Sequence, residues 1–155
     1  MIIKILLRDV VDGDLQIFFE QQRDLEATQM ADFPARDKEG FFNHWTRILA
    51  DKNNILKTIL FEGRVAGNIV SWEQSGQRLV GYWIGREFWG RGIATRALSE
   101  FLNDVKERPL YAYVAELNVA SIRVLEKNGF EIIGKDKYFS STQGMDLEEL
   151  ILKLS

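Results

Sequence analysis

The segment "VGYWIGREFWGRGIATRALSEFL", residues 80–102, sets the narrowest limit on how this chain folds. A hydrophobic run of strand character ends in Gly85, Gly90 and Gly92, interleaved with Arg86 and Arg91, and passes at once into a helical pattern carrying Arg96. Glycine loses more backbone entropy on folding than any other residue, so three of them here imply a need for bare backbone. A turn that feeds a helix aims unpaired N–H groups outward, and the macrodipole adds about half a positive charge at that end. Glycines let an anion come close without a Cβ in the way. The segment therefore predicts a strand–turn–helix unit that cradles a phosphate or diphosphate. The competing reading is a tight turn with solvated arginines.

The rest of the chain predicts a single domain over residues 1–155. Residues 2–8 read as a strand and residues 12–22 as a helix opened by an aspartate cap. Phe41, Phe42, Trp45, Ile48 and Leu49 fall on one helical face, and Phe33 joins Phe41, Phe42 and Trp45 in an aromatic cluster. Strands over residues 55–61 and 65–72 are joined by a hairpin signal, and a third covers 78–84. From Gly92 the helical spacing of Ile93, Ala94, Ala97, Leu98, Phe101, Leu102 and Val105 runs on until Arg108-Pro109. A β-rich run, a short helix capped by Asn118 and ended by Gly129, and two closing strands (131–139 and 145–154) follow. The order is βααβββαβαββ. It predicts a mixed α/β fold: a twisted, mostly antiparallel sheet of about six to seven strands, flanking helices and one βαβ crossover over residues 78–115.

Composition narrows the chemistry. The chain has no cysteine, which removes disulfides, thiolate metal sites and thiol nucleophiles, and its lone His44 rules out a multi-histidine metal centre. A formal net charge of −3 argues against a nucleic-acid binder. The opening "MIIKILLRDV" is too short and too charged for a signal peptide or a spanning helix, so no membrane association and a cytoplasmic setting are expected.

Three phosphate-binding patterns compete for the glycine turn. A P-loop fails, because no G-x-x-x-x-G-K-[ST] occurs. The dinucleotide fingerprint is closer, with Gly90 and Gly92, but Thr95 stands at the third glycine; Glu116 ends the next strand at a distance suited to a ribose contact. That fold needs repeated parallel βαβ units, and the sequence offers one. The third pattern, R/Q-x-x-G-x-G/A, resembles the diphosphate loop of the GNAT superfamily of acyl-CoA N-acyltransferases at Trp89, Gly90, Arg91, Gly92, Ile93 and Ala94. The resemblance continues in "NVASIRVLEKNGF", where Asn118, Ser121, Lys127, Gly129 and Phe130 match the family's downstream segment. In detail the chain looks most like the branch that acetylates ribosomal-protein N-termini and antibiotics. Two positions depart: Trp89 stands at the usual Gln/Arg position, and Leu125 where many members carry a tyrosine general acid.

The resemblance implies acetyl-CoA as cosubstrate, with no metal, held between the strands around residues 78–84 and 110–117. Backbone groups of Tyr82, Trp83 and Ile84 would hold the pantetheine arm and polarise the thioester, and the N–H groups from Gly90 to Thr95 would take the diphosphate. The acceptor it implies is a primary amine, on a small molecule or a protein N-terminus. A lysine-like amine of pKa about 10.4 costs roughly 4 to 5 kcal/mol to deprotonate at neutral pH, an α-amine only about 1, so a base matters most for the former. Glu73, at the end of a strand, is the first candidate base and Glu116 the second, each with a solvated glutamate as the competing reading. Ser121 is a candidate proton donor to the sulfur, and Asn118 a candidate for holding CoA; helix capping accounts equally for both. His44 reads as a structural or substrate-lining residue. A non-catalytic acyl-CoA-binding module of the same fold is the alternative, and exposed C-terminal strand ends suit a homodimer.

Overall fold

The computed structural model describes residues 4–32 and 34–155. Ile2, Ile3 and Phe33, used in the reading above, lie outside the described residues. Seven strands form one sheet in the order β1-β2-β3-β4-β5-β7-β6. They are β1 (Ile5–Asp9), β2 (Ile55–Phe61), β3 (Arg64–Gln74), β4 (Gln77–Ile84), β5 (Leu110–Ala115), β6 (Glu131–Ser140) and β7 (Met145–Leu154). The helices are α1 (Asp12–Gln22), α2 (Leu25–Ala31), α3 (Lys38–Ala50), α4 (Ile93–Asp104) and α5 (Val119–Lys127). Every strand pairing is antiparallel except that of β4 with β5, which α4 connects. Among the described residues, no helix is long and apolar enough to cross a membrane.

The sheet separates two apolar layers. On one face, Ile93, Ala97, Leu98 and Phe101 of α4 and Leu125 of α5 pack with Ile59, Val80, Leu110 and Leu152 of the strands. On the other, Leu15, Phe18 and Phe19 of α1 meet Phe41 and Trp45 of α3 over Leu56, Val65 and Val70. The Phe18 and Trp45 ring centroids lie 5.1 Å apart, within the range in which tilted aromatic pairs attract. Of the five residues on the predicted α3 face, Phe41 and Trp45 are buried, whereas Leu49 stays 38% exposed.

Helix α2 has no counterpart in the sequence reading. Its seven residues bury only Ala27 and Thr28 and leave Leu25 exposed, so there is no apolar stripe to detect. Capping holds it instead. The Asp24 carboxylate accepts from the Ala27 N–H at 3.0 Å, and Asp32 closes the helix in a left-handed conformation (φ 51°). The Asp32 carboxylate also accepts from the Tyr138 hydroxyl and the Ser140 hydroxyl, both at 2.5 Å, which ties α2 to the β6–β7 hairpin.

The predicted aspartate cap of α1 is corrected. Val11 occupies the cap position, and Asp14, three residues on, reaches back to its N–H at 3.0 Å. That side chain is buried and does more than cap. It receives two hydrogen bonds from the Arg8 guanidinium (2.6 and 2.9 Å) and one from the Thr58 hydroxyl at 2.6 Å, so one carboxylate joins β1, β2 and α1. Burial opposes its ionisation, yet the Arg8, Thr58 and Val11 donors outweigh that and hold its pKa below the ordinary carboxylate value. An Asp14→Asn variant should lose about 2 to 3 kcal/mol of stability at neutral pH, since it leaves Arg8 and Thr58 short of a charged acceptor. A depressed folded pKa gives stability that is present above the unfolded value and lost as pH falls through the folded one. Denaturant unfolding of parent and variant should therefore converge below about pH 4.

Candidate active site

Strands β4 and β5 pair only at their first residues, Arg78 with Leu110 and Leu79 with Tyr111, and then part. β5 goes on pairing with β7 to Ala115, and β4 stays with β3 to Ile84. The gap between them opens into two cavities. The larger, about 710 Å³, reaches the α1 and α3 side and includes Phe41, His44, Trp45 and Glu73 in its wall. The smaller, about 400 Å³, runs along the start of α4 and includes Trp89, Gly90, Gly92 and Thr95. Ala31, Tyr82, Trp83, Asn118 and Ser121 line both. The cavities meet at the end of β4.

The strand is brought into this position by glycine on its neighbour. A bulge in β3 sets Ile59 against Gly67 and Leu60 against Val65, leaving Ala66 over. The Ala66 carbonyl accepts from the Gly85 N–H at 2.8 Å. A Cβ on Gly67 would stand 2.0 Å from the Trp83 carbonyl oxygen, so only glycine permits this approach of β4 to β3.

The turn that the sequence reading takes for an anion cradle lies between β4 and α4. Gly90 and Gly92 are both left-handed (φ 76° and 73°), and Gly92 caps α4. The first helical bond runs from the Arg96 N–H to the Gly92 carbonyl at 3.1 Å. Among the described residues, nothing accepts from the N–H groups of Gly90, Arg91, Gly92, Ile93, Ala94 or Thr95. Six unpaired donors thus lie at a helix N-terminus, and five of them belong to residues that line the smaller cavity. Trp89, whose indole N–H donates to the Ile84 carbonyl at 2.9 Å, fastens the turn to the end of β4.

The arginines contribute less charge than the sequence reading expects. Arg86 is bridged to Asp24 and Glu26 of α2, and Arg96 to Glu100 one turn on. The Arg91 guanidinium lies 5.7 Å from the Phe61 ring centre.

The other sequence-predicted residues divide. Asn118 caps α5 by accepting from the Ser121 N–H at 3.3 Å. Ser121 also meets the Tyr82 hydroxyl at 2.8 Å. Glu73 is exposed on the wall of the larger cavity, opposite Arg78 in the β3–β4 ladder. Glu116 lines neither cavity, and its carboxylate is bridged by Lys135 at 3.3 Å. His44 sits in the larger cavity; burial, with Arg36 and Arg47 nearby, pushes its pKa down, so it is neutral at neutral pH.

Sequence reasoning passed over the Tyr82 side chain, Gly67 and Asn68. Alternation along β4 puts Val80, Tyr82 and Ile84 on the face that α4 and α5 cover, which was a readable sign that the Tyr82 phenol points at α5. Asn68 is 8% exposed on the wall of the larger cavity, and among the described residues its amide has no hydrogen-bond partner. Nothing in the sequence marked the bulge that makes Gly67 obligatory. Among the described residues, no group of three or more His, Cys, Asp or Glu side chains is placed to hold a metal ion.

Comparison with known proteins agrees with this geometry. The family model described as "Acetyltransferase (GNAT) domain" matches residues 4–131. A Bacillus subtilis (strain 168) protein named "Putative ribosomal N-acetyltransferase YdaF" is 30% identical over 115 residues, 70% of this chain and 63% of the relative. The chain thus matches less than two thirds of that relative's length. The spermidine N-acetyltransferase of Vibrio cholerae, solved with CoA and spermine, superposes with a TM-score of 0.84 at 14% identity, covering 97% of this chain and 94% of that one. A ribosomal-protein-alanine N-acetyltransferase from Brucella melitensis gives 0.77 at 20% identity, with 96% and 98% covered. The shared fold is a mixed α/β domain with a mostly antiparallel sheet.

The glycine on β3 offers a direct check. Gly67→Ala should lower stability by about 2 kcal/mol or more, because the Trp83 carbonyl is backbone and cannot swing aside. Gly81→Ala, whose Cβ would meet only the Trp72 ring at 3.3 Å, is the milder control. Thermal unfolding that ranks the two the other way would show that β4 does not need the close approach.

Proposed function

The chain belongs to the acetyltransferase (GNAT) family, and on that premise we propose that it moves an acetyl group from acetyl-CoA to a primary amine, which attacks the thioester directly. One observation carries the reading: of six residues with unpaired amides at the start of α4, five line a cavity that opens, past the end of β4, into a second and larger one. A diphosphate fits the first feature, and an acyl acceptor the second. Bound acetyl-CoA supplies the activated acetyl group.

In this reading the Gly90–Thr95 amides take the diphosphate, with Arg91, Ile93 and Ala94 contributing through backbone alone. The end of β4 at Tyr82, Trp83 and Ile84 guides the arm toward the junction, where a backbone donor aimed at the developing oxyanion is worth about 3 kcal/mol. Asn118 and Ser121 close the junction from α5. Trp89 acts by fastening the cradle to β4, a structural role in place of a side-chain contact with the diphosphate. Glu73 is the base for a cationic amine, since it is the predicted carboxylate that reaches the acceptor cavity. The names of the Bacillus and Vibrio proteins point to a ribosomal protein and to a polyamine. Both offer an amine of the kind this cavity would admit, in a cytoplasmic enzyme whose exposed C-terminal strand ends suit a homodimer.

Purified protein, acetyl-CoA and a panel of polyamines, amino-acid amides and N-terminal peptides should release free CoA with at least one amine. Silence across the panel together with no heat of CoA binding overturns the reading, and tight CoA binding with no turnover favours a non-catalytic acyl-CoA-binding module. The cradle has its own probe. Gly92→Val should weaken CoA binding more than about tenfold, because a Cβ and two methyls stand where the phosphate approaches. Gly76→Val, equally left-handed (φ 78°) but in the β3–β4 turn, carries the same backbone strain and should leave CoA affinity unchanged. Calorimetry that finds both variants equal would remove the cradle from the mechanism.

A further inference from the structure

Where the two cavities meet stand two hydroxyl groups in contact. The Tyr82 and Ser121 oxygens lie 2.8 Å apart, and the Tyr82 hydroxyl is also 3.2 Å from the Ser121 carbonyl. One comes from β4 and the other from the first turn of α5, and both residues line both cavities. Leu125, one turn further along α5, is 1% exposed and has no proton to give. Among the described residues, this pair of touching hydroxyls borders the acceptor side and the cofactor side together.

Resting on the acetyl transfer proposed above, we propose that Tyr82 and Ser121 form a proton relay from the acceptor amine to the departing sulfur. Acetyl transfer from a thioester forms one C–N bond, breaks one C–S bond and moves one proton from nitrogen to sulfur. In the relay the nitrogen's proton passes to the Tyr82 oxygen, the Tyr82 proton to Ser121 Oγ, and the Ser121 proton to sulfur. Both hydroxyls are regenerated, neither is ionised at rest, and no outside acid is consumed.

Burial pushes the Tyr82 phenol up to about 12, against a smaller opposing effect of the Ser121 hydrogen bond. A phenol that resists ionisation is a poor free acid, but it suits a chain in which a proton enters as another leaves. Glu73 has a separate part, stripping the extra proton from a cationic amine, and the relay handles the proton that remains. Tyr82 thereby supplies from the sheet what the leucine at position 125 cannot supply from the helix.

The test compares Tyr82→Phe, Ser121→Ala and the double variant with the parent, in binding and in turnover. By calorimetry the parent should bind CoA several-fold more tightly than desulfo-CoA, which lacks the thiol. Each variant should lose that preference while keeping the parent's desulfo-CoA affinity. With the amine from the panel that is turned over fastest, each single variant should lose about 10²-fold in kcat, with KM for acetyl-CoA within about twofold, and the double variant should be no slower. The proton inventory in H₂O–D₂O mixtures should be curved in the parent and linear in the variants. A strap that merely joins β4 to α5 would instead lower desulfo-CoA affinity and thermal stability and leave the thiol preference intact. That result, additive losses in the double variant, or single-variant kcat within about twofold of the parent overturns the relay. A parent with no CoA affinity overturns the family-based reading itself, and is seen before any variant is made.

Discussion

Everything at the site follows from one departure: β4 leaves β5 after two paired residues while its other edge stays bonded to β3. A sheet that parts in its middle exposes backbone that must be satisfied elsewhere or offered to a ligand. Here the β3 bulge and the Ala66 carbonyl hold the end of β4 from one side, and the Trp89 indole ties the Ile84 carbonyl to the glycine turn. Gly67 makes this possible sterically, since its missing side chain leaves room for the Trp83 carbonyl. The cavities, the cradle and the pair of hydroxyls are each placed relative to that strand end.

The proposed diphosphate cradle rests on dipoles more than on charges. Two of the three arginines around the turn, Arg86 and Arg96, are occupied by carboxylates of the same molecule, which agrees with a chain of net charge −3. Amides fixed by a helix start need no reorganisation to face an anion, and at contact distance salt screens them little. Discrimination then lies in shape. A diphosphate fits several donors along a turn, whereas a lone anion meets only a few.

Much of this was legible in the sequence because the signals were local. Gly90 and Gly92 read as bare backbone in a turn, and both prove left-handed; Asn118 and Gly129 read as a cap and a terminator, and the structure gives the one a capping bond and the other φ 91°. The seven strands were readable from alternation and turn residues. What escaped was decided at a distance. Helix α2 depends on Asp24 and Asp32 caps without an apolar stripe, Asp14 serves three elements rather than its own helix end, and Gly67 answers to the carbonyl of Trp83 on the next strand. Arg86 and Arg96 read as free cations because their partners could not be placed, and Glu116 looked available until Lys135 of β6 met it. Among the catalytic candidates, the sequence supplied residue types, and the fold chose which of them face the gap.

The Asp32 latch makes the rim of the sheet part of the binding wall. Its carboxylate is shared by Tyr138 and Ser140 of the β6–β7 hairpin, while the helix it terminates contributes Ala27, Met30 and Ala31 to the cofactor-side cavity. The outermost strand therefore steers the position of a helix that never pairs with it. In a lineage of such proteins, drift in a peripheral hairpin can retune which molecules are admitted without altering any residue that touches them.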